Sequence, residues 1–138
     1  MSLVTQIMDD KVRYWIELSD YDLETSFSMY ETKRYLYVGF MCHQSIEKIF
    51  KAYYTFLKSE TAPYSHNLSY LAIKGNFYKE FSEDQKNFID QIEPLNIEAR
   101  YPAHKERLFK SLTDSKCLEI IEKTKEFQKW IKKKLLKK

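Results

Sequence analysis

A chain of 138 residues with 43% hydrophobic, 16% aromatic and 31% charged residues can bury one continuous core, has no room for a second folded domain, and is far from a disordered composition. Gly39 and Gly75 are its two glycines, which excludes a P-loop, a dinucleotide fingerprint and a nucleophile elbow. Net charge is +3, but residues 123–138 carry eight lysines against Glu126 and sum to +7, so the remaining residues sum to −4; such a basic end attracts phosphate polymers or anionic lipid, or is a solvated helix face with a lysine tail.

The first fifteen residues, MSLVTQIMDDKVRYW, lack the basic and apolar regions of a signal peptide, and no window approaches the roughly 18 apolar residues of a membrane span. A soluble cytoplasmic protein without membrane association is expected. Scarcity of glycine and proline argues against hairpins and sheets, so the predicted fold is all-α, an up-and-down bundle of four to five helices forming one domain over residues 1–138.

Val12, Trp15, Ser19, Leu23, Phe27 and Tyr30 recur at three- and four-residue steps and predict a helix from about Asp9 to Glu31. Tyr14, Leu18 and Tyr21 add a second apolar stripe, suited to a subunit interface or a wide internal contact. Tyr35, Val38, Cys42, Ile46, Ile49, Tyr53 and Phe56 predict a second helix over about Lys33–Lys58, antiparallel to the first because the break between them is short. Cys42, with Cys117, reads as a buried thiol in a reducing compartment, since two cysteines make neither a disulfide framework nor a zinc site.

After Pro63, Ser65 is a candidate cap for a short helix carrying Leu68 and Leu71 and stopping at Gly75. Ser82 and Gln85 form a capping-box signature opening a helix with Phe88, Ile89 and Ile92, which Pro94 is expected to kink or end. The stretch EARYPAHKER, residues 98–107, then reads as a connection or a broken helix end. A last helix starts near Thr113 or Ser115 and turns Cys117, Ile120, Ile121, Thr124, Phe127, Ile131 and Leu135 inward. His43, His66 and His104 are far apart and form no HExxH or EF-hand pattern, so no metal and no cofactor is expected.

On the second helix, His43, Gln44, Glu47, Lys48 and Lys51 fall within an arc of roughly 140°, opposite the apolar positions. The lysines of this polar stripe suit phosphate, the Gln44 amide suits a base or sugar, and Glu47 can pair with Lys51 at i, i+4. As pattern alone it reads first as the solvated face of an amphipathic helix.

In order, the chain presents Trp15 and Asp22-Leu23; Gln44, Glu47, Lys48, Lys51 and Ala52 in a Gln-x-x-Glu-Lys-x-x-x-Lys-Ala signature; His66-Asn67-Leu68 with Leu71; and Ala99-Arg100-Tyr101-Pro102. This succession, over about residues 12 to 131, resembles the HEPN domain family. The resemblance implies a helical homodimer acting on nucleotides or RNA, commonly beside a minimal nucleotidyltransferase in toxin–antitoxin systems. It implies a ligand surface of Gln44, Glu47, Lys48, Lys51, Arg100 and Tyr101. Active members resemble metal-independent ribonucleases in which arginine neutralises the scissile phosphate and histidine moves a proton. Arg100 and His104 are the candidate catalytic pair here, separated by three residues where the family motif has four to six. The leading expectation is therefore a non-catalytic nucleotide- or RNA-binding module. The alternatives are a ribonuclease toxin using Arg100 and His104, and a structural oligomerisation domain.

Overall fold

The computed structural model describes residues 3–98, 101, 106–107 and 110–136. Five helices account for most of them, and no strand occurs among the described residues: α1 (Leu3–Glu31), α2 (Tyr35–Lys58), α3 (Leu68–Lys74), α4 (Glu83–Glu98) and α5 (Asp114–Leu136), with a 3-10 turn at Tyr78–Glu80. The all-α bundle is as expected.

The helix ends have local causes. Lys33, at φ 62°, closes α1: the Arg34 N–H bonds the Met29 carbonyl at 2.7 Å and the Lys33 N–H bonds that of Tyr30 at 3.0 Å, the paired Schellman bonds that reverse the chain into α2. A second such reversal follows α3, which stops at Gly75 as expected. The left-handed residue is Asn76, φ 66°, while Gly75 has ordinary helical angles. Glycine is needed there for closeness, since a Cβ would sit 2.5 Å from the Phe77 ring. The cap of α3 is Asn67, whose side chain accepts the Tyr70 N–H at 2.9 Å, and Ser65 instead supports Asn67 by accepting its N–H at 3.1 Å. The capping box at α4 forms in both directions, Gln85 N–H to Ser82 Oγ and Ser82 N–H to Gln85 Oε1. Pro94 does not end α4, which continues to Glu98; the proline lies on the exposed side, where water can serve the carbonyl that loses its N–H partner.

Helix α2 is the axis of the bundle: α1, α3, α4 and α5 all pack on it. One of its sides is aromatic. Phe50, fully buried, meets Phe77, Phe81 and Phe127 with ring centroids 5.4–5.6 Å apart, mostly edge to face. Toward α1 the contact includes a cluster of small polar side chains. Ser19 donates to the Ser45 carbonyl at 2.7 Å, Ser45 donates to the Ser19 carbonyl at 2.9 Å, and Gln128 of α5 donates to Ser19 Oγ at 3.0 Å, tying three helices at one buried point. On α4, Leu95 approaches Gly39 so closely that a Cβ there would lie 2.8 Å from its Cδ1.

At the start of α5, Asp114 accepts the hydroxyls of Tyr30 at 2.8 Å and Tyr35 at 2.7 Å, pinning that helix to the α1–α2 reversal. The two hydroxyls, Tyr35 foremost, hold the Asp114 carboxyl below its ordinary value, and the same bond, with desolvation, pushes Tyr35 up to about 12. Both cysteines are free and buried as expected, and burial pushes Cys42 up to about 11 and Cys117 up to about 12. Phe27, expected inward, is exposed, because α1 turns Ser19, Asp22 and Ser26 toward its neighbours instead. Of the second stripe, Tyr14 and Tyr21 are exposed and Leu18 is partly covered. No helix is long and apolar enough to cross a membrane among the described residues. The basic end is partly engaged: Lys132 pairs with Asp20 at 2.7 Å, and Lys134 pairs with Glu80 at 3.0 Å while lying over the Trp130 ring.

Candidate functional site

The polar stripe of α2 is not a solvated face. His43, Glu47 and Lys51 are buried, Gln44 and Lys48 are partly covered, and each meets a partner from another element or from α2 itself. His43 Nε2 lies 2.8 Å from Glu93 Oε2 of α4, whose Oε1 accepts the Leu68 N–H at 2.7 Å and so anchors the first turn of α3. Gln44 donates to Asn96 Oδ1 at 3.0 Å. Lys48 donates to Asp22 of α1 at 2.9 Å.

The last member of the row is a three-residue cluster. Glu47 is only 2% exposed, and its carboxylate accepts Lys51 Nζ at 3.1 Å on one oxygen and meets His66 Nδ1 at 2.8 Å on the other. A carboxylate so far from water requires paired charge and hydrogen bonds, and this one has both. Lys51, 6% exposed, lies 5.3 Å from the Trp15 ring centroid, so an aromatic face covers a cation already paired, and 5.9 Å from that of Tyr64.

The cluster opens to solvent at its outer end. His66 keeps nearly half of its side chain exposed although Nδ1 is bound to Glu47, which fixes the ring, and no partner of Nε2 occurs among the described residues. Beside it, with ring centroids 6.3 Å apart, stands Tyr64, 98% exposed. Next to Trp15, an open hollow of about 320 Å³ is lined by Asp10, Lys11, Tyr14, Trp15, Thr55 and Thr61.

Of the site residues expected from sequence, Gln44, Glu47, Lys48 and Lys51 thus form one continuous row, with the Glu47–Lys51 pair as anticipated. Their polar groups are engaged, so a ligand reaching either lysine would compete with Asp22 or Glu47. Tyr101 is exposed. Arg100 and His104, the expected catalytic pair, lie outside the described residues. Asp22, Tyr64, Glu93 and Asn96 were not singled out from sequence as site residues. For three of them a signal existed: Asp22 follows Val12, Trp15 and Ser19 in core register, and Glu93 and Asn96 follow Ile89 and Ile92. A polar residue in a core register requires a buried partner. No group of three or more potential metal-ligating side chains occurs among the described residues.

A family model described as HEPN domain matches residues 12–135, nearly the whole chain. No curated protein and no solved structure matches it.

Proposed function

We propose that this chain, which belongs to the HEPN domain family, is a nucleotide- or RNA-binding module whose ligand sits on the Tyr64 ring beside the exposed edge of His66. The observation that carries the reading is the pairing of a bare aromatic face with an imidazole that a buried carboxylate holds in place. A ring with an open face accepts a nucleobase by stacking, whatever its identity. With Nδ1–H given to Glu47, the His66 Nε2 accepts from a sugar hydroxyl in the neutral ring and donates to a phosphate oxygen in the imidazolium. Gln44, Glu47, Lys48 and Lys51 then act behind this surface: their internal pairs fix the α1, α2 and α4 positions on which the surface is built. Arg100 and Tyr101 complete the recognition surface in this reading, as a homodimer that works beside a minimal nucleotidyltransferase.

Titration calorimetry with a single-stranded oligoribonucleotide, a mononucleotide and a minimal nucleotidyltransferase tests the proposal. Binding of either nucleic-acid ligand, weakened in Tyr64→Ala and His66→Ala, is the expected result. Absence of heat with all three would overturn it. Cleavage of the RNA in chelator, lost in Arg100→Ala and His104→Ala, would replace it with the ribonuclease.

A further inference from the structure

Helix α5 carries seven lysines, and the fold divides them into two groups. Lys116 and Lys123 both pair with Glu119, Lys132 pairs with Asp20, and Lys134 pairs with Glu80. Lys125, Lys129 and Lys133 are exposed and meet no carboxylate among the described residues. Steps of four residues put these three on one outward stripe, about 6 Å apart along the helix axis.

Charge along the stripe is graded. Glu122 and Glu126 are exposed near Lys125, whereas no acidic residue follows Glu126 in the sequence, and Lys137 and Lys138 extend the basic run. Positive potential therefore rises toward the C-terminal end. That end has a defined place in the bundle. Glu80, which takes Lys134 at 3.0 Å, also accepts the Tyr53 hydroxyl at 2.8 Å, so the end of α5 lies level with Tyr53, two residues beyond Lys51 on α2. Lys51 is 5.9 Å from the Tyr64 ring, so the stripe runs toward the end of the bundle that carries Tyr64.

Lipid does not suit this stripe. A helix that lies on a membrane needs an outward apolar face, but Ile120, Ile121, Phe127 and Ile131 are in the core, and the exposed Leu118 and Leu136 stand near opposite ends of α5. Regularly spaced charge without apolar surface fits a flexible polyanion that offers one phosphate after another.

We infer that Lys125, Lys129 and Lys133 form a track for the phosphates of single-stranded RNA. The inference rests on the reading of the chain as a nucleotide- or RNA-binding module and narrows its ligand. The strand is single because the Tyr64 ring accepts unpaired bases, and it has several nucleotides because one cannot span three lysines spread over two helical turns. No base is read on the track, so binding there is independent of sequence and sensitive to salt.

The test is the affinity of the full chain for a fluorescent oligouridylate of about 16 nucleotides, followed by anisotropy across a salt series. Each phosphate contact with a single strand adds roughly 0.7 to the slope of log affinity against log salt. Lys125→Gln, Lys129→Gln and Lys133→Gln together should therefore lower the slope by about 2, and Lys125→Arg, Lys129→Arg and Lys133→Arg together should keep it. Tyr64→Ala should weaken binding with the slope unchanged. Lys33→Gln, Lys58→Gln and Lys74→Gln, exposed lysines elsewhere, make a charge-matched control. An equal loss of slope in that control would overturn the track, since net charge alone would explain it. An unchanged slope in the first triple variant, with RNA still bound, would overturn the track and leave the module standing. A lost slope with no effect of Tyr64→Ala would support the track and overturn the Tyr64 surface. Absence of RNA binding by the original chain would overturn the track, and uridine monophosphate titrated alongside would then decide whether the module reading survives. Sedimentation with phosphatidylserine vesicles in place of RNA binding would overturn the track in favour of lipid.

Discussion

The two sides of α2 are built on opposite principles. Its aromatic side buries Phe50 among Phe77, Phe81 and Phe127, with no polar atom to satisfy. Its other side buries His43, Glu47 and Lys51, pairing His43 with Glu93 of α4 and Glu47 with both Lys51 and His66. Apolar burial stabilises outright, whereas a buried ion pair returns little more than its own desolvation cost, and an apolar pair of the same volume is often as stable or better. The aromatic side therefore accounts for stability. The polar side returns little net stability for what it buries, and it is the side that ends in exposed His66 and Tyr64.

The largest expected effect tests the aromatic side. Phe50→Ala should cost about 3–5 kcal/mol of unfolding free energy in denaturant melts, because the residue is fully buried and its neighbours are held by one another. On the polar side, Glu47→Ala should cost about 3 kcal/mol by stranding Lys51, while Glu47→Leu combined with Lys51→Met should return to within about 1 kcal/mol of the original chain. If the double variant were as unstable as the single one, the ion pair itself would be a source of stability and the contrast between the two sides would collapse. Ser19→Ala removes a hydroxyl that Gln128 and Ser45 both use, and should cost about 1–2 kcal/mol by the same melts.

Smaller still is the effect at Asp114, which is paired but lies at the protein surface. Its carboxyl is held below the ordinary value when folded, so the stabilisation is complete above the unfolded-state carboxylate range and is lost as pH falls through the lower folded value. The stability difference between the original chain and Asp114→Asn should be constant from neutral pH down to mildly acid conditions and close only below that range. A gap that persisted unchanged in strong acid would mean that the two tyrosine bonds do not depend on the ionised carboxylate.

Periodicity carried much of this in advance. The core register of α2 and α5, the capping box of Ser82 and Gln85, and the i, i+4 pair of Glu47 and Lys51 depend on residues close in sequence, and they occur where spacing places them. What spacing could not supply was the partner across space. Whether Lys48 faced water or Asp22 depended on where α1 crosses α2, and that crossing is set by Ser19 against Ser45, two residues with no apolar signal at all. The same limit explains Phe27, which matches the α1 period but is exposed because α1 turns Asp22 and Ser26 toward its neighbours. Pro94, expected to kink or end α4, lies inside it, because one missing N–H on an exposed face is tolerated when the helix on both sides is held, as Glu93 and Leu95 hold α4 here. Of the candidate site, the α2 row was legible, while Tyr64 was not: a tyrosine next to a proline in a loop has no pattern to mark it as bare.

Binding of a fluorescent single-stranded oligoribonucleotide to the original chain and to Tyr64→Ala, followed by anisotropy, tests the central claim most directly. Tyr64 is so exposed that its removal should change stability by less than about 0.5 kcal/mol, while the lost stacking should weaken binding by about 1–3 kcal/mol, roughly 5- to 150-fold. Equal affinity for the two proteins would contradict the account, because the open ring would then be no part of the surface that receives the ligand.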